Sequence, residues 1–301
     1  MPIPLAHLAE QGRVHADRTA SVYEAPRAMQ LWHLTSLDAP TVAVVWSLAF
    51  ARAAGVELPG WLPLLIGLST WVVYVGDRLL DARSGMKAGT LDSLRERHFF
   101  HWRYRRRLLP VALLAGCAAA FLMFTQMPIA FRARNSMLAA AALVYFSGVH
   151  GPRRVPAWVQ RILTKELLVG TLFTAGCVLP TLSRLGVRPE AATKSSPLIA
   201  ASLLFAMLAW LNCHAIDRWE HRAPKTLSGA GALALCCFGA ATAVVVSAHD
   251  ARIAALLLAG SISAGLLAIL HILRNRLTPI TLRAAADLVL LTPLVLLCLP
   301  R

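Results

Sequence analysis

The stretch WVVYVGDRLLDAR, from Trp71 to Arg83, places two carboxylates at the end of a long apolar run. The run is typical of a membrane-spanning helix, and Asp77 and Asp81 stand four residues apart where it ends. On a helix this spacing puts both carboxylates on the same face, one turn apart. A charged group inside a membrane span costs roughly 2.5–3.5 kcal/mol and usually faces a functional cavity. The stretch therefore predicts a membrane helix that ends at a polar site.

The composition of the whole chain is typical of a polytopic membrane protein. Of its 301 residues, 57% are hydrophobic and 15% are charged, and the mean hydropathy is +0.59. A soluble protein of this length carries more charge and fewer long apolar runs. Residues 1–35 are mixed and polar, without an apolar segment that ends in a small-residue cleavage site, so no signal peptide is expected. The net charge of +15 is attributed to membrane topology, and no nucleic-acid partner is predicted.

Nine stretches are long enough to cross a bilayer, which takes about 17–25 residues. The predicted spans are residues 36–54, 61–78, 107–127, 135–150, 163–182, 196–216, 228–248, 252–272 and 284–299. The fold class is all-α, with a cytoplasmic arm over residues 1–35 and a transmembrane domain over residues 36–301 around a central cavity. A cytoplasmic N-terminus places 22 of the 30 Lys and Arg residues in the arm and after spans 2, 4, 6 and 8. Because basic residues concentrate on the cytoplasmic side, we predict a multi-pass protein of the cytoplasmic (inner) membrane.

The acidic residues cluster at the predicted cytoplasmic ends of the spans. Asp77 and Asp81 close span 2, and Asp217 and Glu220, which also share a helix face, close span 6. Mg²⁺ takes oxygen ligands and commonly bridges carboxylates to substrate phosphates. Two such pairs that face each other across a cavity can hold a diphosphate through bridging Mg²⁺. The alternative is that each pair only neutralises neighbouring arginines at the level of the lipid headgroups.

In these two acidic segments the chain resembles the UbiA superfamily of intramembrane prenyltransferases. Proteins of this family have nine helices, with one aspartate-rich motif after the second helix and another after the sixth. The segment VYVGDRLLD keeps Asp77 and Asp81 of the first motif, but Val73 and Tyr74 stand where the family has Asn and Asp. The resemblance covers roughly residues 36 to 299, although only about a dozen residues are specific.

The second motif and a connecting stretch extend the resemblance. The segment NCHAIDRWEHR keeps Asn212, Asp217 and Arg218, while Cys213 and His221 occupy the positions where a second acid is expected. The stretches VYFSGVHGPRR and KELLVGTLFTAG are similar to the family's connection between helices 4 and 5. The matching residues there are Tyr145, Arg153, Lys165 and Gly170.

The resemblance implies a reaction, in which an isoprenyl group passes from a polyprenyl diphosphate to an acceptor within the membrane. Mg²⁺ is the implied cofactor, as a Lewis acid and template for the departing diphosphate. The implied catalytic residues, which are also the metal ligands, are Asp77, Asp81, Asp217 and Glu220. The predicted diphosphate-binding residues are Lys165, Arg78, Arg83, Arg97, Arg222 and Asn212, since guanidinium groups bind phosphate in bidentate fashion and a lone lysine at a span entrance needs an anion. The implied partners are the isoprenyl diphosphate donor, membrane lipids and an unidentified aromatic or lipid acceptor.

Four further polar residues are candidates for supporting roles. His98 and His101 are placed in a cap over the cavity, and His271 and Asp287 are placed among its polar groups. Two other classes of function remain open. The depleted motifs also suit a non-catalytic protein that binds an isoprenoid or lipid, and acidic residues in a membrane also serve as ion or proton sites in transporters of unrelated fold.

Overall fold

The computed structural model describes residues 23–89, 94–133, 136, 137, 140, 165–186, 189, 191–220 and 227–298. The structure is 88% helical, and its described part contains no strand. The helices are α1 (Arg27–Leu34), α2 (Asp38–Ala54), α3 (Trp61–Ala88), α4 (Glu96–Arg103), α5 (Arg105–Gln126), α6 (Lys165–Leu185), α7 (Ala191–Glu220), α8 (Leu227–Ser247), α9 (Ala251–Leu273), α10 (Pro279–Leu288) and α11 (Leu294–Cys298). This architecture is consistent with a polytopic helical membrane protein.

Six of the described helices are long and apolar enough to cross a membrane. They are α3, α5, α6, α7, α8 and α9. Helices α1 and α2 meet at an angle of 87° and pass the same test only as one bent pair, which makes up to seven spans. The predicted fourth span, residues 135–150, lies almost wholly outside the described residues. The count of nine spans therefore stays a prediction.

The predicted ninth span is not one continuous helix. Residues 284–299 cover the end of α10, a short 3₁₀ turn over Val289–Leu291, and α11. Pro293 follows the 3₁₀ turn and has no backbone N–H, so the α-helical hydrogen-bond ladder cannot pass through it. The indole Nε1 of Trp46 donates to the Leu290 carbonyl oxygen at 2.8 Å, and the Thr292 hydroxyl donates to the Ala259 carbonyl oxygen at 2.7 Å. Hydrogen bonds from neighbouring side chains thus support the interrupted segment.

Local sequence signals mark several helix ends. Gly55 and Gly89 end α2 and α3 in the left-handed conformation, with φ of 71° and 69°, which glycine adopts without a steric penalty. Asp250 caps α9, because its carboxylate accepts from the backbone N–H groups of Arg252 and Ile253 at 3.0 Å. Helix α3 continues ten residues beyond the predicted end of span 2, so Asp77 and Asp81 lie within the helix.

Helix α2 is the centre of the apolar core. The Trp46 indole stacks on the Phe205 ring with the ring centroids 3.8 Å apart, and Phe50 packs against the edge of the same ring. These three side chains are almost completely buried, whereas the outer faces of α5 and α8 expose many large apolar side chains. Apolar surface of this kind faces lipid in a membrane protein.

Two groups of connections meet at opposite ends of the helices. At one end, Lys194 in the first turn of α7 donates to the Ala54 carbonyl oxygen at 3.2 Å and lies 3.9 Å from Asp250 between α8 and α9. At the other end, Arg95 and Arg283 contact Glu220 at the end of α7. The topology inferred from the basic residues assigns the first group to one side of the membrane and the second group to the other. The contacts reproduce this grouping without fixing which side is cytoplasmic.

The predicted boundary at residue 35 falls between two helices that share a polar corner. Helix α1 lies within the predicted arm and packs against α10 and α4. The Trp71 indole donates to the Thr35 carbonyl oxygen at 3.0 Å, and the Ala25 N–H donates to the Thr281 hydroxyl at 2.8 Å. Residues from Tyr23 onward are therefore part of the packed helical body.

Candidate functional site

Both carboxylates of the first acidic segment lie on one turn of α3 beside basic side chains. Asp77 Oδ2 lies 3.6 Å from the Arg78 guanidinium, and Asp81 Oδ2 lies 3.8 Å from His98 Nε2. The second distance is too long for a hydrogen bond. The two aspartates share the helix face that their spacing predicts.

The two acids of the second segment occupy different surroundings. Asp217 is exposed. Glu220 is the last residue of α7 and pairs with three arginines: Arg283, Arg95 at 3.1 Å and Arg97 at 4.0 Å. Of these arginines, only Arg97 was among the predicted diphosphate ligands. Glu220 is therefore surrounded by guanidinium groups from α10, from the residue before α4, and from α4.

Helix α4 connects the two acidic segments. Its residue Arg97 faces Glu220 on α7, and the next residue, His98, faces Asp81 on α3. His98 Nδ1 accepts from the Arg95 backbone N–H at 3.0 Å, so the ring proton resides on Nε2, which faces Asp81. Two adjacent residues of the same short helix thus contact Glu220 and Asp81. The two acidic segments thus lie at the same end of the molecule, linked by basic side chains.

The histidines of α4 are neutral. Burial, followed by the charges of Arg97, Arg78 and Arg283, lowers the pKa of His98 to about 2, despite the nearby Asp81 carboxylate. Burial also lowers the pKa of His101, against the raising effect of its 2.7 Å hydrogen bond to the Arg97 carbonyl oxygen. His101 Nε2 is also 3.3 Å from the Ser36 hydroxyl. His101 is completely buried, and it joins α4 to the corner between α1 and α2.

The surroundings of Glu220 carry an excess of positive charge. Three guanidinium groups face one carboxylate. Burial and the charges of Arg78 and Arg283 lower the pKa of Arg97 to about 9, and burial also lowers the pKa of Arg283. Three buried nitrogens here have no hydrogen-bond partner among the described residues: Arg97 Nε, Arg283 Nε and His98 Nε2. Buried donors of this kind are costly unless a ligand accepts from them.

Part of the predicted Mg²⁺ site fits that ion. Asp77 and Asp81 offer two carboxylates on one face of α3. The exposed Asp217 lies at the same end of the molecule, but these three carboxylates do not come within 4.8 Å of one another. One or two carboxylates together with substrate phosphates are a usual ligand set for Mg²⁺. Glu220 is instead neutralised by arginines, so a metal ion would have to displace them. The ligand role of Glu220 stays a prediction, and the surroundings favour a role in orienting the arginines.

The remaining predicted ligands are placed less closely together. Arg78 is half-buried beside Asp77, and Arg83 is exposed. Lys165 begins α6, but its side chain is outside the described part, and Arg222 and His221 lie outside the described residues altogether. Asn212 does not accompany the arginines but donates to Asp287 Oδ1 at 3.0 Å.

A second polar group borders a small apolar cavity of about 40 Å³ between α2, α3, α6, α7 and α10. Asn212 and Asp287 lie in its wall with Tyr74, Cys213 and Phe173. His33 Nδ1 and Asp38 Oδ2 are 2.6 Å apart just behind Asp287. Asp287 lines this cavity, whereas His271 accepts a hydrogen bond from the Trp219 indole at 3.0 Å and does not line it. A role for either residue in the predicted substrate cavity stays a prediction.

Sequence reasoning missed four residues of these two clusters. Arg95 and Arg283 were not singled out, although Arg283 is the only charge in the stretch LRAAA before Asp287. His33 was assigned to the arm, and Asp38 was counted as an ordinary residue of the first span. A carboxylate inside a predicted span is itself a signal of function, so Asp38 was identifiable.

Comparison of the chain with family models, with curated proteins and with solved structures gives no match. The resemblance to the UbiA superfamily therefore stays a prediction that depends on the motif residues. The geometry of the two clusters is the basis on which a function is inferred for this chain.

Proposed function

We propose that this protein binds an isoprenyl diphosphate at the membrane surface and transfers its isoprenyl group to an acceptor in a Mg²⁺-dependent reaction. The observation that carries the proposal is the basic cluster around Glu220, next to the carboxylates of α3. Arg97, Arg283 and His98 each keep a buried nitrogen without a hydrogen-bond partner among the described residues. A diphosphate supplies several anionic oxygens to such donors, and charge-assisted hydrogen bonds of this kind are the strong ones.

Each group has a distinct role in the proposed reaction. Asp77, Asp81 and Asp217 would hold Mg²⁺, which supplies Lewis-acid stabilisation of the leaving diphosphate when bound. Arg97 and Arg283 bind the diphosphate oxygens and neutralise charge that develops as the allylic C–O bond breaks. Glu220 orients these two guanidinium groups by ion pairing. The apolar helix faces that flank this end of the molecule would accommodate the isoprenoid chain.

The proposal is tested by release of diphosphate from the purified full-length protein in detergent. Farnesyl- and geranylgeranyl-type donors are supplied with a panel of aromatic and lipid acceptors, with Mg²⁺ or with EDTA. We expect release only with Mg²⁺, and we expect Asp77→Asn to abolish it. Asparagine has nearly the same shape as aspartate but lacks the negative charge that binds the metal ion. The matched control is Asp250→Asn, since Asp250 caps α9 at the opposite end and asparagine is an equally good cap.

Two results would contradict the proposed reaction. Release that continues in EDTA excludes a Mg²⁺-dependent step, and equal release by the Asp77→Asn and Asp250→Asn variants excludes a role for the α3 carboxylates. If the donor binds but no combination of donor and acceptor gives release of diphosphate, the result supports the second candidate function.

The second candidate is a non-catalytic protein that binds an isoprenyl diphosphate. The ion pairing of Glu220 with three arginines favours it, because a carboxylate neutralised in this way is a poor metal ligand. The presence of Val73 and Tyr74 at positions of the first motif points the same way, since neither side chain replaces a carboxylate. Such a protein binds the donor equally well with Mg²⁺ and with EDTA, and Arg283→Ala weakens this binding.

A further inference from the structure

Three side chains from three separate helices converge beside the apolar cavity. His33 of α1, Asp38 of α2 and Asp287 of α10 each offer a nitrogen or oxygen atom, and these atoms all lie within 4.8 Å of one another. His33 Nδ1 is 2.6 Å from Asp38 Oδ2 and 3.6 Å from Asp287 Oδ2. One imidazole nitrogen therefore faces two carboxylate oxygens.

In each carboxylate, the oxygen that does not face His33 accepts a hydrogen bond. Asp38 Oδ1 accepts from the Ala39 backbone N–H at 2.9 Å, and Asp287 Oδ1 accepts from Asn212 Nδ2 at 3.0 Å. Hydrogen bonds to the outer oxygen of a carboxylate fix the direction of the inner one, and metal sites use such bonds to orient their ligands. Both Oδ2 atoms are thus oriented toward His33 Nδ1.

The cluster is buried, and His33 is its one member that can carry a positive charge. The side chains of His33, Asp38 and Asp287 are 4%, 7% and 19% exposed. Two carboxylates so close together and so poorly solvated are stabilised by a proton or by a cation between them. A protonated His33 supplies one positive charge and leaves the cluster negative, whereas a divalent ion bound by a neutral imidazole balances both carboxylates.

Asn212 provides a second, independent indication of a ligand. It is 4% exposed and directs its amide group at Asp287, and its Oδ1 has no hydrogen-bond partner among the described residues. A buried amide oxygen without a partner costs about 1–3 kcal/mol. Asn212 lies in the wall of the cavity that Asp287 also lines, where a bound ligand can supply the missing partner.

We propose that His33, Asp38 and Asp287 form a binding site for a divalent transition-metal ion. One imidazole and two carboxylates suit zinc or manganese, whereas calcium and magnesium prefer oxygen ligands alone. Ligands around one such ion, with bonds of about 2.1 Å, lie about 3.4 Å apart in a tetrahedral arrangement. The 3.6 Å pair in the cluster already matches this spacing, and the 2.6 Å pair opens by less than about 1 Å.

Two backbone hydrogen bonds hold the helices that carry the cluster. The Tyr23 N–H donates to the Arg276 carbonyl oxygen at 2.9 Å, and the Thr278 N–H donates to the Tyr23 carbonyl oxygen at 3.3 Å. They tie the segment before α1 to the segment before α10, so His33 and Asp287 keep their relative positions. Because Asp287 also lines the cavity, the metal ion would keep one coordination position open toward a molecule bound there.

The test uses zinc ions alone with the full-length protein in detergent, after removal of any affinity tag and washing with EDTA. We expect the wild-type protein to retain one zinc ion per chain after gel filtration, as measured by elemental analysis. Asp287→Asn and His33→Gln should each weaken zinc binding by more than about tenfold, and Asn212→Ala, which removes an orienting group, by about tenfold. Asp250→Asn is the matched control and should retain zinc as the wild type does.

A second measurement, on the wild-type protein, tests the site even if the variants fail to fold. X-ray absorption at the zinc edge of the wild-type protein should show one imidazole among oxygen ligands. A wild-type protein that retains no zinc, zinc without an imidazole ligand, or equal retention by folded Asp287→Asn protein would each overturn the proposal and leave an ion pair between His33 and Asp38. Asp77→Asn should abolish diphosphate release and leave the imidazole-bound zinc in place, so failure of the Mg²⁺ site and failure of the zinc site are distinguishable.

Discussion

At the scale of single residues, Glu220 is the carboxylate on which the basic cluster depends. In Glu220→Gln the guanidinium groups of Arg95, Arg97 and Arg283 face one another without a compensating charge. Removal of one partner from a buried ion pair is strongly destabilising, and about 2–4 kcal/mol is expected here. The apparent melting temperature in detergent should fall, and inorganic diphosphate should raise it again by replacing the lost anion.

The matched control for this change is Glu24→Gln, an exposed glutamate outside the cluster. Surface substitutions of this kind stay within about 0.5 kcal/mol of the wild type. If Glu220→Gln melts at the wild-type temperature, the three arginines do not depend on Glu220, and the cluster has another counter-ion.

His98 makes the stability of the protein depend on pH. Because folding lowers its pKa from 6.5 to about 2, His98 is neutral in the folded chain, whereas the unfolded chain binds a proton below pH 6.5. Stability from this residue is therefore complete above pH 6.5 and is lost as the pH falls below that value. Melting temperatures at about pH 7.5 and about pH 5 should differ, and the difference should be smaller in His98→Gln.

His101 has a lowered pKa as well, so its contribution has the same sign. The double variant with His98→Gln and His101→Gln should show a still smaller loss at low pH. A loss that is as large in both variants as in the wild type would assign the pH dependence to other groups.

The sequence predicted the acidic residues of the site better than their partners. Asp77 and Asp81 were identified because their spacing on a helix is a local property, and the structure places them on one face of α3. Arg95 and Arg283 were missed because they are 188 residues apart in the chain and meet only through Glu220. The cluster of His33, Asp38 and Asp287 was missed for the same reason, since a contact between α1 and α10 leaves no periodic pattern in the sequence.

At the scale of helices, Gly170 sets the distance between α6 and α7. A β-carbon at this position would lie 2.9 Å from the Trp210 backbone nitrogen and 3.2 Å from the Ala206 carbonyl oxygen. Backbone atoms within a helix cannot move aside as the end of a side chain can. Gly170→Val should therefore separate the two helices and lower stability by about 1–3 kcal/mol, as measured by thermal unfolding in detergent.

Gly116 is the matched control for this helix contact. A β-carbon there would lie 3.9 Å from a Val72 methyl group, which is an ordinary contact. Gly116→Ala removes a flexible residue from the interior of α5 and should leave stability unchanged or raise it by up to about 1 kcal/mol. Equal melting of Gly170→Val and the wild type would mean that α6 and α7 are not held at this distance.

The lengths of most helices follow from the apolar runs of the sequence, because the period and extent of such a run depend on neighbouring residues. Helices α5, α8 and α9 begin and end within two residues of the predicted spans. The predictions differ where tertiary contacts decide the outcome. Helix α3 continues beyond its apolar run to Ala88, and the last predicted span is broken before Pro293, where contacts from Trp46 and Thr292 support the break.

At the scale of the whole molecule, the two groups of connections predict which positions share a side of the membrane. Ser84 follows the acidic turn of α3 and Ala248 lies between α8 and α9, and both are exposed. In a variant from which the six native cysteines have been removed, Ser84→Cys should react with an impermeant maleimide only from the cytoplasmic side. Ala248→Cys should react only from the opposite side, because the basic residues concentrate at the Ser84 end.

Labelling of both cysteines from the same side would contradict the helix arrangement. Labelling with the sides exchanged would keep the arrangement but reverse the predicted orientation. The second result would leave the contacts of Glu220 intact and place the basic cluster on the outer surface.

The hydrogen bond between Trp46 and Leu290 also constrains biosynthesis. The two residues are 244 positions apart, so at about 5–20 residues per second the ribosome finishes the second one roughly 12–50 s after the first. During that time the indole N–H of Trp46 lies in a nascent helix whose final acceptor has not yet been translated. The centre of the bundle therefore reaches its final packing only when the C-terminal segment arrives, and chains truncated before Leu290 should be preferred substrates for membrane quality control.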